Sequence, residues 1–153
     1  MDLLELRMAF EVHAACLTAT RRSWAQESNI WNAARQFEAS VDDESSLDHL
    51  DFAFHRSISE ATNNGAFIEL FNLMSLQIMP QPAFSKEVNP ALITPTHIEN
   101  SVKEHRAIWE AISAGNAEQT LEAMRAHLSR SHPRYRGFSD DNASPLSYVP
   151  REE

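Results

Sequence analysis

Apolar positions in this chain recur at three- and four-residue intervals over long stretches, and no stretch alternates convincingly with period two. The spacing predicts six helices, at about Asp2–Trp24, Glu27–Ala39, Ser45–Thr62, Ala66–Met79 and Thr96–Ala114, with the sixth running from beyond Asn116 to about Ser131. The acidic lead-in DDESS offers N-cap oxygens and favourable charge to the third helix. Asn63–Gly65 closes that helix with residues that tolerate left-handed backbone. Pro80 and Pro82 stop the fourth helix, Gly115 and Asn116 end the fifth, and Pro133 follows the sixth. Gln81–Pro95, with three prolines, is the longest internal connection. Short helix–helix connections favour antiparallel neighbours. The expectation is an all-α, antiparallel bundle of about six helices over residues 1–136, with a metal or ligand cavity inside. Turn formers dominate residues 137–153, which read as a flexible C-terminal tail.

Polar residues that fall inside the apolar arcs carry the functional information. On the first helix, residues such as Leu4, Phe10, Val12, Ala15 and Ala19 spread over about two-thirds of the circumference. Arg7, Glu11 and Thr18 fall in the middle of that arc, whereas His13 and Cys16 fall on the remaining polar strip. A guanidinium there needs a partner or a ligand. An Arg7–Glu11 pair at i,i+4 and a ligand-holding Arg7 are both open, and they are compatible. On the third helix, Asp51 and His55 lie one turn apart on the flank of the stripe Leu47, Leu50, Phe54, Ile58, with His49 and Arg56 pointing away. Such a pair suits a metal, although the same pairing also serves as a plain hydrogen bond. His105 stands at the centre of the fifth helix's apolar face, and His127 lies beside that of the sixth. Three imidazoles and a carboxylate near the core suit a divalent ion: zinc first, with nickel or manganese as alternatives. His13, His49, His97 and His132 read as bystanders.

Composition narrows the function classes. Thirteen Lys and Arg against 22 Asp and Glu give a net charge of −9, which argues against this chain gripping nucleic acid by itself. The single Cys16 excludes an internal disulfide and fits a reducing, cytoplasmic setting. With three glycines, no GxxxxGK or GxGxxG phosphate loop can be written. No apolar run approaches a membrane span, and the N-terminus lacks a signal-peptide pattern.

Three blocks resemble one known family. LLELRMAFEVHAACLTATRR resembles the opening helix, with its Arg and Glu four apart, of the FadR-type effector-binding (FCD) domain of GntR-family transcription regulators. DFAFHRSISEATNN looks like that family's Asp-x-x-x-His helix, closing on Asn64. EHRAIWEAISAGNAEQTLEAMRAHLSRS is similar to its closing pair of helices, with the Glu-His start and the Met-Arg-x-His-Leu end. The resemblance covers about Leu3 to Ser131, with Gly65 standing where proline is common. It implies metal ligands at Asp51, His55, His105 and His127, and effector contacts at Arg7 and Asn64. It further implies a small carboxylate effector, a homodimer, and DNA contact only through an N-terminal winged helix-turn-helix absent from this chain.

Two other readings compete. A metallo-hydrolase would activate water on the three-histidine, one-aspartate site, with Glu11 as its best general base. A paired-carboxylate di-iron site is disfavoured because no Glu-x-x-His occurs. A purely structural bundle would use the metal as a brace. The fourth helix, FIELFNLMSLQIM, is apolar almost all round, which fits burial against a partner copy or within its own core.

Overall fold

The computed structural model describes residues 3–78 and 94–135. Six helices account for nearly all of them: α1 (Leu3–Arg21), α2 (Trp24–Ala39), α3 (Glu44–Glu60), α4 (Gly65–Ile78), α5 (Pro95–Ser113) and α6 (Ala117–Tyr135). No strand occurs among the described residues, so the fold is all-α. The connection 79–93, with Pro80, Pro82 and Pro90, and the tail 137–153 lie outside them.

Local chemistry sets the boundaries. Ser23 and Gln26 form a reciprocal capping box that starts α2, so α1 ends at Arg21 rather than running on to Trp24. Thr94 caps α5 by accepting the His97 N–H at 3.2 Å, with Pro95 in the first turn. Asn116 Oδ1 accepts the Gln119 N–H at 3.0 Å and so caps α6. Asn63 (φ 54°) and Gly115 (φ 68°) take the left-handed backbone that reverses the chain after α3 and α5. Two expectations need correcting. Asp43 holds the N-cap position of α3, but its carboxylate takes the Ser45 hydroxyl at 2.6 Å and makes no capping bond. Also, α6 continues past Pro133 to Tyr135, without the one ladder bond that a proline nitrogen cannot donate.

α1 packs along α6, α2 along α3 and α5, and α5 along α6. Ala14, Ala15 and Ala19 are buried on α1 and, being small, let neighbouring backbones approach closely. The main core joins Val12, Ile30, Phe54, Ile58, Ile108, Ile112, Met124 and Leu128. Thr18, one of the polar residues within the α1 arc, is fully buried because its hydroxyl donates to Ile58 O at 2.7 Å and ties α1 to α3. A second cluster of Phe10, Phe71 and Met74 seats α4 against the bundle. α4 is packed on one side only: Leu73 is 66% exposed and Leu70 37% exposed.

Candidate metal centre

Three helices bring Asp51, His55, His105 and His127 together. α3 supplies Asp51 and His55 one turn apart, α5 supplies His105, and α6 supplies His127. One ligand atom from each lies within 4.8 Å of every other. His105 Nε2 is 3.1 Å from Asp51 Oδ1, and His55 Nε2 is 3.8 Å from the same oxygen. The rings of His55 and His127 stack at 5.0 Å between centroids, with their Nε2 atoms 3.0 Å apart. All three imidazoles are buried, and Asp51 is half-buried.

Neighbouring groups fix these rings in different ways. His127 Nδ1 is 2.8 Å from Glu104 Oε2, and Glu104 in turn pairs with Arg130. His55 Nδ1 lies 2.5 Å from Glu11 Oε2, a close contact without hydrogen-bond alignment. Glu11 also receives Arg7, with Nε 2.5 Å from Oε1 and Nη2 3.3 Å from Oε2. His105 has no such carboxylate on Nδ1; the Phe54 ring stacks on it at 4.1 Å and Phe37 meets it edge-on at 4.7 Å. Neither of its nitrogens has an aligned hydrogen-bond partner.

Burial lowers the pKa of His105 and of His127, which keeps them neutral and ready to donate a lone pair. Burial works to raise Asp51, but the surrounding imidazoles outweigh it and hold the carboxyl well below its ordinary value. At Glu11 burial is likewise outweighed, by Arg7 and His55, and the pKa falls to about 2. Burial, opposed by His127 and Arg130, leaves Glu104 lowered as well. Anionic carboxylates, neutral imidazoles and buried ring nitrogens without hydrogen bonds are what a divalent cation requires. The residues present therefore fit such an ion.

The remaining sequence candidates fall elsewhere. Arg7 is buried and reaches the centre through Glu11, so the pairing of the two is realised. Asn64 is exposed at the turn before α4, where its Oδ1 accepts the Ala66 N–H at 3.1 Å. His13 and His49 are exposed, and His97 is half-buried at the start of α5. Glu104 and the two phenyl rings escaped the sequence reading. The one available signal was the position of Glu104 directly before His105.

Known proteins resemble this chain in sequence and in fold. The family model described as the FCD domain matches residues 2–130. The HTH-type transcriptional regulator LutR of Bacillus subtilis (strain 168) is 28% identical over 141 residues, covering 92% of this chain and 64% of that protein. A protein of Escherichia coli (strain K12), named for regulation of an L-lactate dehydrogenase operon, is 28% identical over 143 residues, covering 93% of this chain and 54% of its own length. The chain thus spans between about half and two-thirds of the curated relatives it matches. Among solved structures, Streptococcus agalactiae GntR superposes with a TM-score of 0.71 at 23% identity, over 86% of this chain and 56% of that one. Escherichia coli McbR/YncC superposes with a TM-score of 0.74 at 12% identity, over 89% and 64% respectively. Both share the fold.

Proposed function

Because the chain belongs to the FCD domain family, the ligand-sensing class of domain in GntR-type regulators, we propose that it senses a small carboxylic acid through a divalent metal ion. Asp51, His55, His105 and His127 hold the ion. Zinc suits three imidazoles and a carboxylate best, with nickel or manganese as alternatives. When bound, the ion supplies a Lewis-acid position that an effector oxygen can occupy. The observation that carries this reading is the convergence of four ligand atoms from three helices within 4.8 Å, with two Nε2 atoms facing each other. Relatives named as regulators support sensing over hydrolysis.

Charge narrows the effector class. Asp51, Glu11 and Glu104 contribute three negative charges around the ion, and Arg7 and Arg130 two positive ones. With a dication this leaves one positive charge, which a single carboxylate neutralises. A monocarboxylate is therefore favoured over a polyacid. A hydroxyl beside the carboxylate would add a second oxygen for the ion, and a relative named for a lactate dehydrogenase operon supports that class. Arg7 meets the acid beside its Glu11 pair, since a planar guanidinium suits a carboxylate on more than one edge.

The domain works as a homodimer inside the cell, covering the exposed Leu70 and Leu73 of α4. Effector occupancy shifts helix packing across the pair and so the spacing of two winged helix-turn-helix heads, which contact the DNA. No described helix is long and apolar enough to cross a membrane. Calorimetry tests the sensing step, with L-lactate and citrate titrated into zinc-loaded and chelator-stripped protein. Lactate should bind the loaded form alone and more tightly than citrate does. Equal binding to the two forms would overturn the proposal.

A further inference from the structure

Two of the three imidazoles are backed by carboxylates, and one of those carboxylates is accessible to clean substitution. Glu104 precedes His105 on α5. Consecutive helical residues point about 100° apart, so His105 faces the centre while Glu104 faces α6. There its Oε2 lies 2.8 Å from His127 Nδ1 and its other oxygen pairs with Arg130, one turn further along α6. The carboxylate is 12% exposed and Arg130 is 60% exposed, so this pair spans from the buried ring to solvent. A carboxylate can only accept at Nδ1. The His127 proton therefore sits on Nδ1 and the lone pair on Nε2, the atom 3.0 Å from His55 Nε2.

We propose that Glu104 is a positioning residue of the metal centre, fixing the tautomer and orientation in which His127 presents Nε2 to the ion. This rests on the metal reading above. Arg130 anchors the carboxylate from outside and takes no part in ligation. His105, held between phenyl rings and without a carboxylate on Nδ1, is the ligand whose orientation depends on packing instead. One helix pair thus carries two ligands and the support for one of them.

The test compares the whole chain with Glu104→Ala and Glu104→Gln, using nitrogen NMR of His127 in metal-free protein and zinc affinity by chelator competition. Unaltered protein should show the Nδ1–H tautomer. Glu104→Ala should shift His127 towards the Nε2–H tautomer favoured by a free imidazole side chain and weaken zinc by about 10–100-fold. Glu104→Gln retains an acceptor, so it should keep the tautomer and recover most of the affinity. A Glu104→Ala variant that melts earlier but keeps both tautomer and zinc affinity would make Glu104 a plain helix–helix tie and overturn the inference. If unaltered protein bound no zinc, the metal reading would fail separately, and the tautomer would still decide whether Glu104 orients His127.

Discussion

His55 Nε2 stands 3.0 Å from His127 Nε2, although the two residues are 72 positions apart in the chain. Each ring has its Nδ1 close to a carboxylate, Glu11 at 2.5 Å for His55 and Glu104 at 2.8 Å for His127. Two Nε2 lone pairs at this distance repel unless a proton or a cation lies between them. A bound ion should therefore stabilise the fold, and chelation should lower Tm. With free zinc about a thousandfold above Kd, mass action adds about 4 kcal/mol, a shift on the order of 10 °C for a domain of this size. Scanning calorimetry with and without chelator checks this, and an unchanged Tm would contradict it.

In the metal-free protein, stability should fall as pH falls. Burial lowers His105 and His127 below their ordinary 6.5, so the unfolded chain binds more protons there and stability drains away below about pH 6.5. Glu11 has the same sign: its pKa is about 2 against an ordinary 4.5, so its contribution is full above 4.5 and is lost on acidification towards 2. Urea unfolding of stripped protein between about pH 8 and pH 4 should give steadily lower midpoints. A flat or rising trend would contradict these assignments.

Arg22 should matter for folding while leaving metal content alone. Its Nη2 donates to Ser113 O at 2.7 Å, its Nε to Glu27 at 3.0 Å and its Nη1 to Ala19 O at 2.5 Å, joining α1, α2 and α5. The side chain is 15% exposed. Arg22→Ala should cost about 2 kcal/mol or more, read from denaturant unfolding, because charge-assisted bonds to backbone carbonyls are lost together.

Arg7→Lys should separate effector binding from metal binding. An ammonium still pairs with Glu11, so metal content stays the same. It cannot form the planar fork, so lactate affinity should weaken on the order of tenfold. Calorimetry and metal analysis on the same preparation check both halves. Undiminished lactate binding would make Arg7 a structural residue and not an effector contact.

Leu73→Glu should weaken self-association in sedimentation, since it sets a charge on the exposed side of α4. A dimer of unchanged strength would exclude that side as the interface.

The helices and the four ligand candidates were legible because both depend on periodicity. Asp51 and His55 share a face at i,i+4, and His105 and His127 fall on or beside stripes that any bundle buries. The supports of the site were hidden for the opposite reason. Glu11–His55 joins α1 to α3 and Glu104–His127 joins α5 to α6, contacts that depend on how two helices are rotated against each other. Arg7 and Glu11 did show themselves as polar groups within an apolar arc, as a pair and as candidates for a ligand and a general base, but not as neighbours of His55. The pattern of α4 left burial within its own core and burial against a partner copy both open, and in this chain Leu70 and Leu73 face outward. Hydrophobicity alone does not say which neighbour is a partner copy and which is solvent.

The central claim is that Asp51, His55, His105 and His127 hold one divalent ion, and metal quantification by mass spectrometry tests it most directly. Chelator-stripped protein re-exposed to zinc and then desalted should retain about one ion per chain. His105→Ala should retain almost none, and the His55→Ala, His105→Ala double variant none. Stoichiometric zinc in the double variant would contradict the account.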